Sequence, residues 1–248
     1  MFEDAPAGAI RGESTPFYLW SRPAHRRIHR DVPDAKLIVI IRDPVDRAHS
    51  NWQHLWSDGL EPISDFLQAC EAEDERVANG YAPFWRYRDL GRYGSQLEHL
   101  FGLFPRHQVH VLRYRQLVDE PMETLDAICR FLGVAPTATL APRPENVKPL
   151  APDDVVTRTL ARNVRVGAAV GAYFPSDWWR QASRPLLWAL HRRGQPRAAL
   201  SADVRAAVRE PLVEDIALLG RVLGESFDDW LGETGRGAFL NRTESVAR

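Results

Sequence analysis

The pattern of apolar and polar positions changes period sharply around residue 42. Lys36 to Ile41 is an almost wholly apolar, β-branched run, which predicts a strand buried on both faces, as in a parallel sheet. Asp43-Pro44 then predicts a helix start: Asp is a good N-cap, Pro suits the first helical position, and Asp46 adds negative charge to the first turn. From there the period is helical. Val45, Ala48, Trp52, Leu55 and Trp56 fall on one face, suited to packing against a sheet, whereas Arg47, Ser50, Asn51 and His54 fall on the other and are free to meet a ligand.

The same reading extends along the chain. Residues 1–11 read as loop or a short helix end, and Ser21 to Arg30, the most basic short stretch, reads as a solvated helix face or a surface for an anion. Ile63, Phe66, Leu67, Cys70 and Val77 mark a helix over 62–79, ended by Gly80. Phe84, Trp85 and Tyr87 crowd together between Tyr81 and Leu90, either as an acceptor pocket or as a packed cluster. Leu97, Leu100, Phe101 and Phe104 line a further helix after Gly94, Val109 to Tyr114 is a second strand, and Met122 to Leu132 is a helix closed by Gly133. Strand, helices, strand, helix is α/β order. Pro136 to Pro152 is a Pro- and Ala-rich loop, and the chain from Asp153 on is helical in pattern. One domain is expected over 1–248, with an α/β core over 1–135, a loop over 136–152 and a helical part over 153–248.

Composition narrows the classes. With 32 basic and 33 acidic residues the net charge is −1, which argues against general nucleic-acid binding. Cys70 and Cys129 are two cysteines far apart in helical patterns, so neither a disulfide framework nor a zinc site is indicated. No apolar run nears the roughly 20 residues of a membrane span and the N-terminus has no signal-peptide pattern, so a soluble cytoplasmic protein is expected.

Two places carry candidate chemistry. A strand that ends in Arg42 and turns straight into a helix sets a guanidinium at the carboxyl edge of the sheet, where open α/β folds bind ligands. Arg42 and Ser50 could hold one phosphate, by a charge-assisted fork and a hydroxyl donor. The alternative is that Arg42 pairs with Asp43 or Asp46 and Ser50 is merely packed. Glu13, beside Gly12 and followed by Ser14, Thr15, Pro16, Phe17 and Tyr18, suits a carboxylate at the rim of a cleft, where burial would raise its pKa and fit it for general-base work. The alternative is a surface or capping residue.

Gly12 to Tyr18 together with Lys36 to Ser50 resembles the sulfotransferases that use 3′-phosphoadenosine 5′-phosphosulfate (PAPS), especially the heparan sulfate branch. Gly91 to Phe104, Val109 to Leu117 and Phe131-Leu132-Gly133 follow the same course. The resemblance implies a P-loop-NTPase-like three-layer sandwich with a central parallel sheet and a helical C-terminal part. It implies that Arg42 and Ser50 bind the 3′-phosphate, that Glu13 takes the proton of the acceptor, and that Lys148 belongs to a late loop over the nucleotide. PAPS would be the co-substrate, with no metal required. The acceptor would be a hydroxyl or amine of a carbohydrate or small metabolite. The family's strand and Lys-Ser/Thr-Gly loop around the 5′-phosphosulfate should precede Glu13 by tens of residues, yet the twelve residues there contain no such loop. An N-terminally truncated enzyme lacking the first strand is therefore expected, with a catalytically inactive nucleotide-binding or interaction module as the alternative.

Overall fold

The computed structural model describes residues 8–136, 151–171 and 199–232, with the single positions 6 and 185. Its elements begin with α1 (Arg22–Asp31), β1 (Leu37–Ile41) and α2 (Pro44–Ser57), followed by two short helices, α3 (Phe66–Glu71) and α4 (Glu73–Ala78). Next come α5 (Tyr93–Phe101), β2 (Val109–Arg113), α6 (Tyr114–Asp119) and α7 (Pro121–Leu132). The helical part contributes α8 (Val155–Gly171), α9 (Ala202–Arg209), α10 (Val213–Leu223) and α11 (Asp228–Leu231). The helix expected over 62–79 is thus two helices, the second beginning where Ala72 caps the first.

β1 and β2 pair in parallel, Leu37 opposite Val109 and Ile41 opposite Arg113, so both strands end at the same edge. Val39, Ile41 and Val109 point into a core built with Leu97, Leu100 and Phe104 from and beyond α5 and with Ile216 and Leu219 of α10. A second core lies under α2, where Val45, Ala48, Trp52, Leu55 and Trp56 meet Phe66, Ala69, Cys70, Tyr87 and Val208. The apolar face expected for α2 is therefore the buried one.

One expectation for β1 fails. The strand is not buried on both faces: Ile38 and Ile40 remain 38% and 47% exposed. On that side α7 covers β2, with Phe131 stacked on His110 at 5.2 Å, and Lys36 Nζ donates to the carbonyls of Phe131 and Leu132 at the α7 C-terminus. Nothing among the described residues lies equally close over β1, so an apolar run long enough to imply two-sided burial is covered on one side.

Two close approaches lock the layers. Asp215 of α10 accepts from the backbone N–H groups of Gly94 (2.8 Å) and Ser95 (2.9 Å), satisfying donors at the start of α5 that the helix cannot satisfy itself. A Cβ on Gly94 would lie 2.3 Å from the carbonyl oxygen of Asp215, so only glycine allows the two helices to approach this far. A Cβ on Gly91 would lie 2.9 Å from Cβ of Pro44, which brings the turn before α5 against the first residue of α2.

Candidate functional site

The start of α2 organises the site. Asp43 Oδ1 accepts from the N–H groups of Val45 and Asp46, both at 2.9 Å, and Pro44 occupies the first helical position, as the sequence predicted. Burial, then the neighbouring charge of Asp46, raises the pKa of Asp43, against the N–H bonds and Arg205, which favour its charged form. Arg205 of α9 reaches across to both acids, ion-paired to Asp46 and 3.4 Å from each oxygen of Asp43. The two carboxylates nearest Arg42 in sequence are therefore occupied by a cation 159 to 162 residues away.

Arg42 is left in a different state. Among the described residues it forms no ion pair; its guanidinium lies 5.3 Å from the ring centre of Tyr114. Its neighbour at the same sheet edge shows the contrast. Arg113 is bound to both oxygens of Asp229 at 3.0 Å and to the carbonyl of Ser226, and rests 4.1 Å from the ring centre of Phe227. The pairing of Arg42 with Asp43 or Asp46 that the sequence left open is not what forms.

The polar face of α2 separates into individual roles. Arg47, expected to face a ligand, turns inward: its Nη1 is buried with no hydrogen-bond partner, and desolvation lowers its pKa against the favourable potentials of Tyr93, Glu73 and Tyr87. Asn51 donates to the carbonyl of Phe84 at 2.7 Å, and His54 pairs with Asp58 at 3.4 Å. His49 packs between Trp52 and Phe66 at 5.7 and 4.9 Å, a packing position in an aromatic cluster. Ser50, half-buried one turn beyond Arg47, is the hydroxyl this face presents.

Asn51 also connects Glu13's segment to the site. Phe84, held by Asn51, meets Phe17 edge-on at 4.7 Å between ring centres, so the stretch carrying Gly12 to Tyr18 runs beside the polar face of α2. Glu13 itself does not have the burial expected of it. It is exposed and accepts a hydrogen bond from Thr15 Oγ1 at 2.8 Å; residues 9–15 form no helix or strand, and no ring among the described residues closes over the carboxylate. Lys148 lies outside the described residues.

Sequence reasoning missed the network that fixes the rim. Glu61 is fully buried; it accepts from Arg76 Nη1 and Nη2 (2.9 and 2.7 Å), from the Ile63 N–H (2.9 Å) and from the hydroxyl of Tyr87. Burial, then the Glu61 charge, raises the Tyr87 pKa and keeps its proton in place. Glu73 accepts from the N–H groups of Arg88 and Asp89 at 2.8 and 2.9 Å, with its own pKa raised by burial. These two carboxylates anchor the segment from Tyr87 to Asp89 to the turn after α2 and to α4. A polar residue buried in a tertiary contact leaves no periodic signal, so nothing in the pattern marked either one.

Residues 4–138, more than half of the chain, match the model of the sulfotransferase family. The chain belongs to that family. The chain is 33% identical over 137 residues to heparan sulfate glucosamine 3-O-sulfotransferase 6 of Homo sapiens, a match covering 53% of this chain and 37% of that one. It is 30% identical over 138 residues to the bifunctional heparan sulfate N-deacetylase/N-sulfotransferase of Drosophila melanogaster, covering 55% of this chain and 12% of that protein. The matched region thus spans about a third or less of these relatives' length. A sulfotransferase from Alicyclobacillus acidocaldarius shares the fold at a TM-score of 0.61 and 23% identity, over 90% of this chain and 70% of that one. The P-loop-like α/β fold expected from the sequence is therefore the fold of this chain, with two parallel strands and a helical majority among the described residues. No helix among them is long and apolar enough to cross a membrane.

Proposed function

We propose that this sulfotransferase binds the 3′-phosphate of PAPS between Arg42 and Ser50 and transfers the sulfuryl group to a hydroxyl or amine of a carbohydrate or small metabolite. The observation that carries the reading is the state of Arg42. Arg205 engages Asp43 and Asp46, and among the described residues no acid pairs with the guanidinium at the carboxyl end of β1, which supports its use for an external anion. Ser50 supplies a hydroxyl donor from the neighbouring helix face. The names of the relatives support both acceptor types, since they describe 3-O- and N-sulfation of heparan sulfate.

In this reaction the acceptor oxygen or nitrogen forms a bond to sulfur as the bond from sulfur to the donor's phosphate oxygen breaks. The acceptor proton passes to a base. Glu13 takes that role in the proposal, its carboxylate already oriented by Thr15. Lys148 is proposed to close over the nucleotide. Positioning and charge stabilisation supply most of the rate. The 5′-phosphosulfate loop implied by the resemblance is not among the described residues, so the nucleotide product, 3′-phosphoadenosine 5′-phosphate, is the direct probe of the half-site present.

Calorimetric titration with that nucleotide tests the reading. Arg42→Ala is expected to weaken binding by about 30-fold to several thousand-fold, from about 2–5 kcal/mol for a desolvated charge contact. Equal binding by wild type and Arg42→Ala refutes it. A second reading, a nucleotide-binding module without catalysis, is favoured by the exposure of Glu13. The two separate on Glu13→Gln in a turnover assay: lost turnover with intact nucleotide binding supports Glu13 as base, and undiminished turnover removes it from that role.

A further inference from the structure

Asp46 and Ser50 are four residues apart on α2, the spacing that brings side chains one above the other on one helix face. A carboxylate at position 46 therefore stands one turn from the hydroxyl at position 50. Left unpaired, it would repel a phosphate beside Ser50 and offer Arg42 an internal partner already in place, an acid that pays no entropy of association.

The acid is not left unpaired. Arg205 Nη2 is ion-paired with Asp46 Oδ1, and Arg205 Nη1 lies 3.4 Å from both oxygens of Asp43. The two acids differ in what else holds them. Asp43 Oδ1 already accepts from the N–H groups of Val45 and Asp46 as the helix cap, which keeps it in place without Arg205. The Asp46 carboxylate has no other hydrogen-bond or ion-pair partner among the described residues. Arg47 does not serve it, because adjacent residues on a helix do not face each other.

Arg205 is delivered by packing that the ion pair does not supply. The α9 helix is capped by Ser201, whose hydroxyl accepts from the Val204 N–H, and Val208, one turn beyond Arg205, is fully buried in the core that holds Val45 and Ala48 of α2. The guanidinium itself is at the surface of that contact, with the side chain 22% exposed, so its charge can be removed while α9 stays seated.

From this arrangement we infer that Arg205 is a positioning residue for the anion site: it holds the Asp46 carboxylate away from Arg42 and Ser50, and without it that carboxylate competes with the phosphate of the ligand. This rests on the reading of Arg42 and Ser50 as the phosphate contacts, and adds to it a residue that touches no ligand and a built-in competitor that the fold keeps occupied.

The test is calorimetric titration of the full chain with 3′-phosphoadenosine 5′-phosphate and, separately, with adenosine 5′-monophosphate, which lacks the 3′-phosphate. Arg205→Gln is expected to weaken the first about 10-fold, as follows when the fraction of chains with Arg42 free falls to about a tenth, and to leave the second nearly unchanged. Loosening of the fold alone would weaken both alike. Adding Asp46→Asn to Arg205→Gln removes the competing charge and should restore most of the lost affinity. Arg205→Lys serves for the same comparison if the glutamine form does not fold: its single head cannot fork to both acids, and a several-fold selective loss is expected. Wild-type affinity for 3′-phosphoadenosine 5′-phosphate in the folded variant, an equal loss for both nucleotides, or a double variant no better than Arg205→Gln overturns the inference. Wild-type affinity in Arg42→Ala removes the nucleotide reading itself, so the two failures are distinct.

Discussion

Replacing Glu61 by leucine removes the carboxylate that gathers Arg76, Tyr87 and the Ile63 N–H. The Arg76 side chain is only 7% exposed, so its guanidinium would stay desolvated with no counter-charge. Breaking a buried pair from one side costs about 3–5 kcal/mol, and an orphaned tyrosine hydroxyl adds about 1 kcal/mol or more. Against a total stability of roughly 5–15 kcal/mol, Glu61→Leu is expected to lose about 4–6 kcal/mol. Urea unfolding followed by tryptophan fluorescence reads this as a lower midpoint at unchanged slope. The double variant Glu61→Leu/Arg76→Met removes both charges and should recover at least about 2 kcal/mol, because two apolar side chains need no partner. A single-variant loss under about 1 kcal/mol, or a double variant no better than the sum of its singles, refutes the claim that a buried ion pair pins the Tyr87 segment. Tyr87→Phe keeps the ring and loses only the hydroxyl, so it should cost about 1 kcal/mol.

Two further outcomes rest on single contacts. Gly94→Ala sets a methyl 2.3 Å from the Asp215 carbonyl oxygen, backbone that cannot rotate away, and should cost about 3 kcal/mol or more by forcing α5 and α10 apart; thermal unfolding near wild type would show that the helices yield. Burial, followed by the charge of His99, holds the His25 pKa down from 6.5 to about 4, with the two Nδ1 atoms 3.0 Å apart. The folded state therefore binds a proton less readily than the unfolded chain: the contribution is fully present above pH 6.5, declines as pH falls towards 4 and is gone below it. A displacement of that size corresponds to a loss of up to about 3 kcal/mol. Unfolding free energies of wild type and His25→Gln should converge as pH falls from 7 to 4, and a pH-independent difference would refute this.

Local chemistry was legible wherever neighbours in sequence supply the cause. The strand at 37–41, the Asp43 cap, the buried face of α2, the second strand and the Gly133 stop all arise from steric, capping or periodic rules acting over a few residues. The break between α3 and α4 leaves no mark in the sequence pattern because Ala72 carries no breaker signal.

The chain's own sequence thus determined that it is α/β and where β1 hands over to α2, with Arg42 at the end of the strand and Ser50 on the polar face of the helix. Only the tertiary structure decided which charges are spent. Arg205 comes from far along the chain to take Asp43 and Asp46, while Arg47 is drawn under Tyr93 and Glu73. Glu13 stays exposed because no element among the described residues closes over it, and Ile38 and Ile40 stay partly open on the side where α7 packs against His110 of β2. Charge pairing and burial depend on distances between segments that sequence spacing does not encode, and among the described residues those distances leave Arg42 without an acid partner.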